Sequence, residues 1–131
     1  ISDVLKGEKI IEKIKVVNYS LAVANGLKPM ATLRIEIDGK IYEDTSSGDG
    51  QYNAFRNALW RIYDKLQKPR PYLKDYIVTI PPGGKTDALV ECVITWDLNG
   101  RAFKTRGLDS DQTVAAIKGT IRMLNIIETL K

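Results

Sequence analysis

The sequence predicts an α+β fold of duplicated βββα units related by a pseudo-two-fold axis, with the helices packed on antiparallel sheet. Three observations carry this expectation. Segments rich in β-branched residues come in threes, each trio is followed by a run of helical spacing, and residues of the second half repeat those of the first in the same order. Such units each have an apolar sheet face and an apolar helix stripe to bury, so a duplicated pair packs about an axis. Two sheets with one helix layer, or a sheet continued through a dimer, both satisfy the pattern.

The first three strands are expected over residues 13–23 (KIKVVNYSLAV), 31–38 (ATLRIEID) and 40–44 (KIYED). Asp38 and Gly39 mark a tight hairpin between the last two, because both residue types tolerate the positive φ of a two-residue turn. From Asp49 to about Gln67, Phe55, Leu59, Ile62 and Leu66 recur at spacings of 4, 3 and 4, which places them on one helical face. Pro69 and Pro71 end that run. The second set follows with strands over 72–80, 88–97 and 101–106, then a helix over about 110–130 with Val114, Ile117, Ile121 and Leu124 spaced 3, 4 and 3. Laying IEIDGKIYED on ITWDLNGRAFKT matches Asp38 with Asp97, Gly39 with Gly100 and Tyr42 with Phe103, the second hairpin being two residues longer. Beyond it an offset of 61 pairs Gln51 with Gln112, Ala54 with Ala115 and Arg61 with Arg122. Repeat units of about 12–68 and 72–131 account for both sets of matches.

With 131 residues, 44% of them hydrophobic, the chain is long enough to bury the core of a globular domain. Its net charge of +4 is scattered, with only a mild cluster at Lys68, Arg70 and Lys74, so the concentrated footprint of a nucleic-acid binder is not expected. A small basic α+β nucleic-acid-binding module is the alternative of another class. The absence of histidine removes Ser-His and Cys-His catalysis and the commonest catalytic zinc ligand, and no residue is assigned as catalytic or metal-binding. A carboxylate-only enzyme using Asp49, Asp109 and Asp111 has no supporting motif. Cys92, the single cysteine, lies in VECVITW and reads as a small core hydrophobe, and Trp60, Trp96 and Tyr63 on periodic positions also read as core. No apolar run approaches the roughly 20 residues of a membrane span and no signal peptide is visible, so no membrane partner and a cytoplasmic location are expected. The first residue is Ile1 and not Met, as in a fragment of something longer.

Each helix has an acidic, small-residue entrance: SSGDGQ before the first and GLDSDQ before the second. Capping by Asp49, and by Ser110 or Asp111, accounts for the acids, because a side-chain oxygen at that place accepts the first unbonded N–H groups. It does not account for Gly48 and Gly50. Glycines there permit positive φ and let another molecule approach the main chain, and a helix N-terminus favours an anion. A phosphate loop needs a nearby lysine, which this stretch lacks, while an amino-acid carboxylate suits the place as well as phosphate does. Gly107 stands farther from the second helix. IPPGGKTDAL, residues 80–89, reads either as a turn or as free backbone lining the same cavity.

In order along the chain, ATLRIEIDGKIYEDTSSGDGQYNAF, LKDYIVTIPPGGKTDALVECVITW, GLDSDQTVAA and MLN resemble the C-terminal regulatory domain of 2-isopropylmalate synthase and its close relative citramalate synthase. The likeness runs from about Ile11 to Asn125, and the chain departs from the family at Gln51, where proline usually follows Gly-Asp-Gly. The resemblance implies a domain without chemistry or cofactor of its own. It implies a homodimer that binds an end-product branched-chain amino acid, isoleucine for a citramalate synthase being favoured and leucine for a 2-isopropylmalate synthase the alternative. It also implies feedback inhibition of an N-terminal barrel, absent from this chain, that condenses acetyl-CoA with a 2-oxo acid and uses a divalent metal held in part by histidines. Residues 1–10 would then be a linker from that barrel and 11–131 the amino-acid-binding domain.

On this reading Gly48, Asp49 and Gly50 form the place for the effector carboxylate, and Tyr52, Leu73, Tyr76, Ile80 and Val90 wall an apolar pocket for its side chain. Tyr52 leaves the first turn of the first helix. Tyr76 and Ile80, four apart, share one face of a strand, Leu73 opens that strand, and Val90 lies on the next.

Overall fold

A computed structural model describes residues 12–80 and 89–130. The elements run β1(Ile14–Ala22), β2(Met30–Ile37), β3(Lys40–Ser47), α1(Gln51–Lys65), β4(Tyr72–Thr79), β5(Val90–Leu98), β6(Arg101–Asp109) and α2(Gln112–Leu130), which is the expected βββα order twice over. The linker expected at 1–10 and the centre of the turn expected at 80–89 lie outside the described residues. Two compact units result, Lys13–Arg70 and the chain from Pro71 onward.

In the first unit the antiparallel order is β1-β2-β3, and α1 packs on β2 and β3. Alternation decides which side is covered. Ala31, Leu33, Ile35 and Ile37 are buried on β2 and meet Phe55, Ala58, Leu59 and Ile62, the buried face of α1. Each large side chain so buried contributes about 1.5–3 kcal/mol, which outweighs the indifferent helix propensities of α1. Tyr19 of β1 closes this core edge-on to Phe55, with ring centres 6.0 Å apart. The opposite sheet face is polar: Arg34 pairs with Glu43 at 2.8 Å and Thr32 with Thr45 at 2.9 Å.

The second unit repeats this plan with order β4-β5-β6 and α2 on β5 and β6. Cys92, Ile94 and Trp96 are fully buried, as expected from VECVITW. Gly107 serves packing, because a methyl group there would overlap the Ala115 carbonyl oxygen and come within 2.7 Å of the Gly119 nitrogen, both on α2. The close crossing is fastened by a buried relay in which Trp96 Nε1 donates to Thr105 Oγ1 at 2.9 Å and Thr105 Oγ1 donates to the Gly119 carbonyl at 2.8 Å. Tyr63 is buried as expected, whereas Trp60 is half-buried, with the Arg70 guanidinium 5.5 Å from its ring centre.

Four sequence expectations are corrected. Strands β3 and β6 continue to Ser47 and Asp109, beyond Asp44 and Arg106, because pairing with β2 and β5 holds polar and glycine residues that propensity alone leaves out. The helices start at Gln51 and Gln112. Both hairpins turn on two residues of positive φ, Asp38 (51°) with Gly39 (83°) and Asn99 (54°) with Gly100 (85°). Asp38 therefore corresponds to Asn99 and not Asp97, and the offset of 61 runs through the hairpin with no insertion. Asp and Asn are interchangeable in such a turn, so matching identities misplaced the register. Asp97 instead accepts the Gly100 N–H at 3.0 Å.

A further sign of duplication is invisible to residue identity. The β1–β2 register shifts between Val16 and Asn18, and the β4–β5 register between Leu73 and Asp75. The bulges leave Tyr19 opposite Leu33 and Tyr76 opposite Ile94, so the two tyrosines are equivalent.

Candidate functional site: the two helix entrances

The first entrance is a loop fastened from three directions. Gly48 N–H donates to the Pro29 carbonyl at 3.1 Å, Asp49 N–H to Asn53 Oδ1 at 2.9 Å, and Asn57 Nδ2 to the Ser47 carbonyl at 2.9 Å. The N-cap is Gly50 and not Asp49, and it makes no side-chain cap bond. Positive φ is not the reason for either glycine: Gly50 is extended at φ −146°, and Gly48 is not among the glycines of positive φ. Gly48 is needed because a Cβ there would lie 2.5 Å from Ala54 N and from Asn53 Oδ1, so only glycine lets the loop lie against the first turn. Gly50 differs, since a Cβ there would meet nothing within 4 Å.

The lysine that SSGDG lacks arrives from elsewhere. Lys28, in the β1–β2 turn, places its ammonium 3.5 Å from Asp49 Oδ1, with both side chains mostly in solvent. Such a pair adds little stability but holds a cation beside the helix mouth. Tyr52, half-buried in the first turn, carries the Arg56 guanidinium 5.1 Å from its ring centre. Sequence reasoning missed Lys28 because its nearness to Asp49 follows from the β2–β3 pairing of Met30 with Ser47, not from local spacing.

The second entrance has the same frame and opposite chemistry. The Gly48 and Gly50 positions are occupied there by Asp109 and Asp111. Asp111 Oδ1 accepts the Val114 N–H at 3.1 Å, which makes Asp111 the cap, as one of the two expected residues. Asp109 Oδ2 accepts the Asp111 N–H at 2.9 Å, and Lys118 Nζ approaches Asp109 Oδ1 to 2.9 Å. The Asp111 N–H, followed by the Lys118 ammonium, holds the Asp109 carboxyl below its ordinary pKa. This mouth is supplied with carboxylates by its own chain.

The residues expected to wall a pocket fall in both units. Gly48, Asp49, Gly50 and Tyr52 are contiguous in the first. In the second, Leu73 and Tyr76 of β4 lie opposite Trp96 and Ile94, hence on the α2-facing side, and the Tyr76 hydroxyl is 3.6 Å from Cys92 Sγ. Val90 opens β5 opposite Asp109 on that same side, half-buried, and Ile80 follows the end of β4 and is exposed.

One polar cluster carried no sequence signal. Asp44 of β3 receives Lys65 Nζ at 2.7 Å and Arg61 Nε at 3.1 Å from α1. The Lys65 ammonium foremost, against the opposing cost of burial, then the Thr45 N–H and Arg61, lowers the Asp44 carboxyl to a pKa of about 2. Among the described residues no group of three or more His, Cys, Asp or Glu is placed to hold a metal ion. Nor is any described helix long and apolar enough to cross a membrane.

Comparison with known proteins adds context to these entrances. Residues 1–128 match the family described as the LeuA allosteric (dimerisation) domain. The chain is 32% identical over 127 residues to a 2-isopropylmalate synthase of Syntrophus aciditrophicus, covering 94% of this chain and 23% of that protein. It is 30% identical over 115 residues to a 2-isopropylmalate synthase of Aquifex aeolicus, covering 87% of this chain and 21% of that one. A protein of Archaeoglobus fulgidus named as an (R)-citramalate synthase is 28% identical over 123 residues, covering 94% of this chain and 24% of its own. The chain thus spans about a quarter or less of the curated relatives it matches.

Proposed function

Because the chain belongs to the LeuA allosteric (dimerisation) domain family, we propose that it dimerises and binds an end-product branched-chain amino acid, isoleucine in the first instance, as the feedback sensor of a citramalate synthase. The observation that carries this reading is the first entrance. Gly50 caps α1 without a side-chain bond, and the position of its missing Cβ opens on empty space. The N-terminal end of α1 carries partial positive charge, and an external carboxylate is the group that complements it. At the second entrance Asp109 and Asp111 already supply that charge.

In this proposal Gly48, Asp49 and Gly50 shape the carboxylate end of the site, while Tyr52, Leu73, Tyr76, Ile80 and Val90 select the side chain. The domain itself performs no reaction and needs no cofactor. The parent protein is proposed to condense acetyl-CoA with a 2-oxo acid on a metal-dependent N-terminal barrel. The 2-isopropylmalate synthases among the relatives favour a second reading, with leucine as effector. Titration calorimetry with isoleucine, leucine and valine tests both. Saturable binding of one of them, weakened at least about tenfold by Gly50→Val in a folded variant, is expected, since each charge-assisted bond lost costs about 1.5–3 kcal/mol. Unchanged affinity in that variant would move the site elsewhere.

A further inference from the structure

The turn between β1 and β2 has the wrong surface for a loop facing water. Connecting segments are ordinarily polar, yet Val23, Leu27 and the adjoining Met30 are 62%, 72% and 44% exposed. Val17 is exposed at the β1 bulge, while Tyr19 lies on the other, α1-facing side of the sheet, where its ring meets Phe55. Elsewhere the first unit is polar outside: Arg61, Asp64 and Lys65 are exposed on α1, and the outer sheet face carries the Arg34–Glu43 and Thr32–Thr45 pairs. Ile41 is exposed on that face as well, but it stands opposite Glu36 and two residues from Glu43. The exposed apolar side chains that no neighbouring charge accompanies are therefore those of the β1–β2 turn, Val23 and Leu27, with Met30 beside them.

We propose that a second copy of this chain covers the β1–β2 turn, with Leu27 and Val23 as the buried centre of the contact. The proposal rests on the dimer reading above and names its surface. A two-fold axis sets a patch against itself, so a self-contact must be free of unbalanced like charge. This turn meets that condition. Its one charged residue, Lys28, is partnered by Asp49 at 3.5 Å, so two copies can approach without repulsion, whereas a charged partner would find no complementary field. The turn is also bonded to the first entrance through Gly48 N–H and the Pro29 carbonyl. Contact between copies therefore adjoins the place proposed for the effector, and each can influence the other.

Sedimentation equilibrium of the 131-residue chain, without effector, measures the dimer dissociation constant for the natural sequence, Leu27→Glu and Ile41→Glu. Leu27 lies in an exposed turn, so the glutamate leaves the fold intact, as an unchanged melting midpoint will check. Leu27→Glu should raise the dissociation constant by about thirtyfold or more, as loss of a central apolar contact does, while Ile41→Glu leaves it within about threefold. A dimer as tight in Leu27→Glu as in the natural chain overturns the proposed surface and leaves the dimer reading standing. A natural chain that stays monomeric throughout overturns the dimer reading, and this surface with it.

Discussion

Gly48 and Gly50 sit two residues apart at one helix mouth, and alanine at each should have opposite consequences. A Cβ on Gly48 would stand 2.5 Å from Ala54 N and Asn53 Oδ1 and 2.8 Å from Ala54 Cα, where ordinary contact begins at 3.4 Å. The loop must withdraw from α1 by about 1 Å, since two of those atoms are helix backbone and cannot rotate away. Overpacking of that kind costs about 1–3 kcal/mol, and withdrawal also loosens the Asp49 N–H bond to Asn53 Oδ1, worth about 1 kcal/mol. The expected loss in Gly48→Ala is about 2–4 kcal/mol. Gly50→Ala places its methyl group in open space on an extended residue, so only the small N-cap preference is lost, less than about 1 kcal/mol. Urea unfolding of both variants measures the contrast, with a midpoint lowered by about 1–2 M in the first and little changed in the second. Equal midpoints would refute the view that Gly48 is held by close approach and Gly50 is not.

Other outcomes follow from the same geometry. Gly107→Ala should lower stability by about 3 kcal/mol or more, because α2 must leave β6 and the Thr105 bond to the Gly119 carbonyl breaks; a midpoint in urea close to that of the natural chain would contradict it. Asp44, with its pKa lowered to about 2 from 3.8, contributes stability that is complete above pH 4 or so and is lost as pH falls through the folded value. Full conversion of that shift is about 2 kcal/mol, but Arg61 and Lys65 are more than half exposed and screened, so Asp44→Asn should cost about 1 kcal/mol at pH 7 and flatten the acid limb between about pH 4 and 2. Ile80→Ala and Val90→Ala should weaken isoleucine binding by about 1–3 kcal/mol and narrow its margin over leucine, with the melting midpoint of the unliganded protein little changed. A large fall in that midpoint with the margin intact would place both residues in the core.

The element order was legible because apolar spacing of two kinds, alternate along strands and three or four along helices, records which face each element buries. Leu33 and Ile35, or Phe55, Leu59 and Ile62, announce their partners in that way. What escaped the sequence depends on approach in space. Lys28 reaches Asp49 because β2 pairs with β3 and sets Met30 opposite Ser47, and Asp44 meets Arg61 and Lys65 only because α1 lies across β3. Gly107 looked remote from its helix in sequence and proved to lie against α2 too closely to carry a Cβ. The cap at the first entrance was misassigned because Asp49 and Gly50 are both acceptable N-caps, and only the chain direction after Ser47 decides between them.

The central claim, that the mouth of α1 receives the carboxylate of a branched-chain amino acid, is tested most directly by the structure of crystals grown with isoleucine. The amino acid is expected to be ordered at this entrance, its carboxylate within hydrogen-bond distance of main-chain N–H groups in the first turn after Gly50. An amino acid ordered elsewhere, with the mouth of α1 unchanged, would contradict it.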